Sequence, residues 1–394
     1  MKVTIISKEY PPHVYGGAGV HVKFLTRELA RNIDVEVRCF GEQRIREGKL
    51  TVTGYRAWDR MYEGDDSRFN STLGTFSTDL SVVRDRFDSD IVHCHTWYAS
   101  LAGYWAKTLY DIPLVSTVHS LEPLRPWKEE QLGRSYHLST WVEKLALESS
   151  DRIVAVSKGS REEILKYFNV DPDRVKVIHN GIDLNLYRHI ETDSTRKSFD
   201  LLDQPYVLFV GRVSRQKGMT YLIDAMKHVD PGVRCVCCTS APDTKELEDE
   251  IAAKVASEPR VLWINYLLRE EQYVELYSNA AVFACPSIYE PFGIINLESM
   301  ACETPVVASA VGGILETVVD GETGFLVPPA DPKAIADAIN KLIRNDEMRR
   351  QFGKNGRKRV EDHFSWTSIA HKVEELYREV IEERKRGNPA SKNG

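Results

Sequence analysis

Residues 205–212 read PYVLFVGR. A run this apolar and this rich in β-branched and aromatic residues has the character of a strand buried on both faces, as in a parallel sheet. Its position decides the fold, because an alternation of strand-like and helix-like segments has already run its course upstream. That first series comprises KVTIIS (2–7), the helical HVKFLTRELAR (21–31), DVEVRCF (34–40), DIVHCH (90–95), PLVSTVH (113–119) and RIVAVS (152–157). After a polar stretch at 188–204, PYVLFVGR opens a second series that continues through GVRCVCCT (232–239), RVLWIN (260–265), AVFACPS (281–287) and PVVAS (305–309). Such alternation predicts a parallel sheet covered by helices on both faces, and its recurrence predicts two doubly wound Rossmann-like α/β domains. The first should span 1–187, ending in VIHNGIDLNLY (177–187), where Asn180-Gly181 is a turn signal. The second should span 188–364. FSW (364–366) leads into a charged amphipathic helix at about 365–386, and 387–394 is a polar segment expected to be a flexible tail. Ligands of open parallel sheets sit beyond the C-terminal strand ends, so the site is expected in a cleft between the two sheets.

Composition narrows the class. The 394 residues are 42% apolar, 28% charged and 9% aromatic, the balance of a globular protein, and the net charge of −6 gives no basis for nucleic-acid binding. The opening MKVTIISKEYPP lacks the long apolar segment of an export signal. With no run of about 18 apolar residues, a membrane span is not expected. Seven scattered cysteines, three of them in VRCVCC, read as reduced core thiols and point to a cytoplasmic location. No metal site is expected.

Four stretches hold residues suited to chemistry. YPPHVYGGAGVHV places Gly16, Gly17 and Gly19 at a helix start, where the backbone can approach an anionic ligand. FVGRVSRQKGM puts Arg212 just past a strand and Lys217 five residues on, a pair suited to a diphosphate leaving group. His119 ends a strand and precedes a loop with Arg125, Lys128 and Arg134, and His93 and His95 are expected to turn at most one ring to any given side. EPFGIINLE (290–298) sets Glu290 before a helix start and Glu298 within the helix. The two carboxylates are therefore placed to hold two ends of an extended ligand rather than to share a proton.

These segments, with HCHTWYASLAG (93–103) and VIHNGID (177–183), resemble the retaining glycosyltransferases of family 4, which have the two-Rossmann GT-B fold, and within it the actinobacterial-type glycogen synthases. The resemblance implies that Gly16 and Gly17 approach the donor diphosphate and that Arg212 and Lys217 bind it. It implies that Glu298 takes the ribose hydroxyls, that Glu290 with the backbone of Phe292, Gly293, Ile294 and Ile295 holds the transferred glucose, and that His119 stands beside the reacting sugar. It implies a C-terminal helix returning to the first domain, no cofactor, and charge neutralisation by Arg212, Lys217 and helix termini in place of a metal. Family 5 relatives carry Lys and Asp where this chain has Tyr15 and Thr96.

The expected activity is transfer of glucose from ADP-glucose, or UDP-glucose, to glucose 1-phosphate or a growing α-1,4-glucan in glycogen biosynthesis. Arg125, Lys128 and Arg134 are candidate ligands for the acceptor phosphate. Another family 4 activity, of sucrose-phosphate, trehalose or cell-envelope type, and a non-catalytic sugar-nucleotide-binding protein are the alternatives. Oligomeric state stays open, a homodimer included.

Overall fold

The computed structural model describes residues 1–387 except 60, 62, 65–67 and 241; the expected tail at 388–394 lies outside the described residues. The chain forms two units, Met1–His179 with the segment from Trp366 onward, and Asn180–Ser365. Both are parallel-sheet Rossmann-like domains.

In the first unit the strands are β1 (Lys2–Ser7), β2 (Asp34–Phe40), β3 (Arg44–Glu47), β4 (Leu50–Tyr55), β5 (Ile91–His95), β6 (Leu114–Val118), β7 (Arg152–Ala155) and β8 (Val175–Val177), in sheet order β3-β4-β2-β1-β5-β6-β7-β8. All neighbours are parallel except β3, which folds back on β4. The central strands are sealed on both faces, with Val3, Ile5, Ile6, Ile91 and Val92 wholly buried. The order reverses between β1 and β5, so a crevice opens beyond their C-terminal ends. The helix Gly17–Leu29 follows β1 and buries Val22, Leu25 and Leu29.

The last helix, Trp366–Gly387, lies against it. Ile369, Val373, Leu376, Tyr377 and Val380 recur at helical spacing and are all buried. Trp366 stacks on Phe24 at 5.9 Å between ring centroids, and the Asn32 amide donates to Glu374 at 3.2 Å.

The second unit contains β9 (Tyr206–Arg212), β10 (Arg234–Ser240), β11 (Val261–Ile264), β12 (Val282–Cys285), β13 (Val306–Ser309) and β14 (Gly324–Val327). They pair in the order β11-β10-β9-β12-β13-β14, parallel throughout. Here the order reverses between β9 and β12, which fixes the crevice of this unit.

The division between the units falls at 179/180, not at 187/188. Residues 180–187 are tied into the second unit, because the Ile182 amide donates to the Phe364 carbonyl at 2.8 Å and Arg357 donates to the Tyr187 carbonyl at 3.0 Å. Asn180-Gly181 is thus the crossing point itself. All seven cysteines are buried and unpaired in disulfides. No helix among the described residues is long and apolar enough to cross a membrane.

Candidate active site

In the second unit the functional segments leave the two strands that flank the crevice. Arg212 closes β9, and its Nη1 donates to Asp243 Oδ1 at 2.9 Å. Gly218 follows at φ +65, and a Cβ there would stand 2.1 Å from the Pro286 carbonyl oxygen. Only glycine lets this loop lie against the end of β12. That approach brings Lys217 to Glu290, Nζ to Oε2 at 2.5 Å, and the Ser287 hydroxyl adds a bond to the same oxygen at 3.1 Å. The Glu290 turn is gripped from behind by Gly312 and Gly313. The Gly313 amide donates to the Glu290 carbonyl at 2.9 Å, and a Cβ on either glycine would come within 2.3 Å of a carbonyl oxygen of the turn.

Gly293, at φ +91, then caps the helix Ile294–Ala301, while Phe292 packs edge-on to Phe364 at 5.9 Å. The opening amides of a helix lack intrahelical acceptors and carry the positive end of its dipole. Glu298 lies one turn further on and is 7% exposed. Tyr277 donates its hydroxyl to Oε2 at 2.9 Å. Burial raises the carboxyl to about 6, against the pull of the Tyr277 and Tyr187 hydroxyls. Glu290 and Glu298 therefore occupy different settings, one facing a lysine and the other a tyrosine pair.

In the first unit, the loop after β1 runs to Gly16 and the helix Gly17–Leu29. The Tyr15 and Gly16 amides donate to Glu9 Oε2 at 2.7 and 2.9 Å, so an acidic side chain occupies the ground expected for a donor phosphate. β5 ends at His95, followed by Thr96 at φ 64, a rare conformation for a β-branched residue. His119, just past β6, meets His95 ring to ring, Nε2 to Nδ1 at 3.0 Å. His93 is fixed at both nitrogens, by Tyr377 and Thr117, each at 2.6 Å. The expectation that His93 and His95 face apart is overturned: residues two apart on a strand share a face, and these rings stand 4.3 Å apart. Burial, followed by neighbouring imidazoles, holds His95 and His119 well below the usual histidine range.

The proposed acceptor trio does not assemble. Lys128 is 2% exposed and bonds both oxygens of buried Glu122, at 2.8 and 3.0 Å. Its ammonium is a structural cation, lowered to about 8 by burial with Glu122 pulling the other way. Arg125 donates to Ser120 at 3.2 Å, and only Arg134 of the three is exposed. Sequence reasoning missed Glu9, His21, Asp243, Ser287, Tyr187, Tyr277 and the Gly312-Gly313 pair. Of these, the paired glycines after a strand repeat the Gly16-Gly17 signal and were open to detection.

Two family models cover the chain: Glycosyltransferase Family 4 matches residues 15–186, and Glycosyl transferases group 1 matches residues 191–359. The chain belongs to glycosyltransferase family 4 and has the GT-B fold; it is a glycosyltransferase that moves a hexose. It is 43% identical to the α-maltose-1-phosphate synthase of Mycolicibacterium smegmatis, over 96% of this chain and all of that one. Among solved structures, sucrose-phosphate synthase from Thermosynechococcus elongatus superposes with a TM-score of 0.82 at 27% identity, over 97% of this chain and 99% of that one. Anabaena HepE, solved with UDP and glucose, superposes at 0.79 with 23% identity, over 96% of this chain and all of that one, and shares the fold.

Proposed function

We propose that the chain transfers glucose from ADP-glucose to the 4-hydroxyl of glucose 1-phosphate, forming α-maltose 1-phosphate with retention at the anomeric carbon. Carrying this is the end-to-end 43% identity to a protein named for that product. An α-glucan is the second acceptor, which would place the enzyme in glycogen synthesis.

The geometry of the second unit suits a sugar nucleotide. Arg212 and Lys217 supply positive charge where a diphosphate leaves, and a guanidinium that already holds a carboxylate has the fork geometry for phosphate oxygens. Glu298 takes the ribose hydroxyls as a carboxylate acceptor. Glu290, with the amides of Phe292, Gly293, Ile294 and Ile295, holds the glucose hydroxyls. Lys217 restrains the Glu290 carboxylate so that its charge is fixed before the oxocarbenium ion develops. His119 is assigned to the reacting sugar, with His95 holding its ring. The incoming hydroxyl attacks on the face from which the diphosphate departs, and its proton passes to the departing phosphate oxygen.

The test is one assay matrix. Purified protein receives ADP-glucose or UDP-glucose together with glucose 1-phosphate or glycogen, and products are identified by mass and phosphatase sensitivity. A disaccharide phosphate from ADP-glucose and glucose 1-phosphate is expected. Transfer to neither acceptor overturns the proposal, and a glycogen-only enzyme replaces the acceptor.

A further inference from the structure

Three histidines far apart in sequence converge at the crevice of the first unit. His21 comes from the helix after β1, His95 from the end of β5 and His119 from the end of β6, and one ring nitrogen of each lies within 4.8 Å of the other two. We propose that His21, His95 and His119 form a binding site for a divalent transition ion of the zinc class, and that its occupancy inhibits the enzyme. The inhibition rests on the role proposed for His119; the binding does not.

The chemistry is that of an open metal site. Imidazole suits zinc, and three histidines with a vacant fourth position form a familiar tetrahedral set. At a Zn–N length of about 2.0–2.1 Å, the ligand nitrogens stand about 3.4 Å apart. Here His95 Nδ1 and His119 Nε2 are 3.0 Å apart, and the three ligand nitrogens all lie within 4.8 Å of one another. His95 is wholly buried; its Nδ1 is the nitrogen that faces His119, while its Nε2, on the other side of the ring, has no hydrogen-bond partner. His93 is excluded, since both its nitrogens are engaged at 2.6 Å. It acts instead as a wall, 4.3 Å from the His95 ring, while Trp366 stands edge-on to His21 at 5.3 Å. An ion held there fixes the His119 ring nitrogen and adds positive charge beside a carbon that becomes cationic in the transition state.

Chelator-treated full-length protein is titrated with Co2+, following visible ligand-field absorption, and Zn2+ is then added in competition. One ion per chain with tetrahedral intensity is expected, displaced by Zn2+, together with a rise in melting temperature on adding Zn2+. H21Q and H95Q should each weaken Co2+ binding at least tenfold. Absence of absorption in the wild-type protein, or binding unchanged in both variants, overturns the site. Should a variant fail to fold, the hyperfine-shifted imidazole signals of cobalt-loaded wild-type protein decide: three ligating rings are expected, and fewer than three refute it. In the transfer assay Zn2+ should inhibit and chelator should restore activity. A metal-free protein without transferase activity would overturn the proposed function, while the spectroscopic titration still decides the metal site.

Discussion

Glu298 is a carboxylate kept in a place that resists charge. Because its folded value is raised to about 6, the native state holds this proton more tightly than the unfolded chain does. Its contribution to stability is present below pH 4.5 and is lost as pH rises through 6. E298Q should therefore not destabilise the unliganded protein at pH 8, as a urea titration will show. The role proposed for Glu298 in donor recognition has the opposite demand, since ribose hydroxyls would need the ionised acceptor. Affinity for the nucleoside diphosphate, measured calorimetrically, should fall as pH drops below about 6, and E298Q should reduce that dependence to the part owed to the ligand's own terminal phosphate while weakening binding about tenfold. Glu290 is braced by Lys217 and Ser287, and under the proposed function it acts in the transition state, so E290Q should lower kcat by about 100-fold with a smaller change in KM.

At the level of elements, the turn bearing Glu290 is shaped by a glycine pair from another loop. G312A puts a methyl group 2.3 Å from the Glu290 carbonyl oxygen at a backbone φ of +49. A loss of about 1–3 kcal/mol is expected, and kcat should fall together with melting temperature because the turn itself is displaced. The loop after β6 gives a second case. K128M leaves Glu122 buried beside Glu143, whose carboxyl burial and the Glu122 charge already push well above the ordinary range. Urea unfolding should show a loss of about 3–5 kcal/mol, partly recovered by E122Q in the double variant. The sequence made Lys128 look like a surface cation, because its spacing says nothing of the packing that buries it against Glu122. The strands were legible for the opposite reason, since continuous β-branched runs have few other uses. The EPFGIINLE and FVGR segments were legible as charged turns at strand ends, yet Asp243 and Tyr277, which pair with Arg212 and Glu298, were not, because a single polar residue acquires its partner only through the fold. The His93 and His95 misreading was avoidable from the two-residue period of a strand alone.

For the molecule as a whole, the first unit depends on buried neutral histidines. Burial, with His21 adding to it, depresses His93 to about 3. The stability this confers is complete above pH 6.5 and is lost progressively as pH falls from about 6.5 to 3, by up to about 4–5 kcal/mol for this ring. Urea midpoints recorded between pH 4 and 8 should decline on the acid side, and H93F should flatten the decline.

The crossing of the chain at 179/180 and its return at Trp366 have a consequence for synthesis. A ribosome completes all eight strands of the first unit and then makes the whole second unit before releasing Trp366, which stacks on Phe24, and Tyr377, which bonds His93. At about 5–20 residues per second, the nascent first unit waits on the order of ten seconds or longer with the seat of its last helix bare. The second unit, continuous in sequence, can mature during that wait. A frameshift near the end of the message would accordingly damage the part of the protein that was made first.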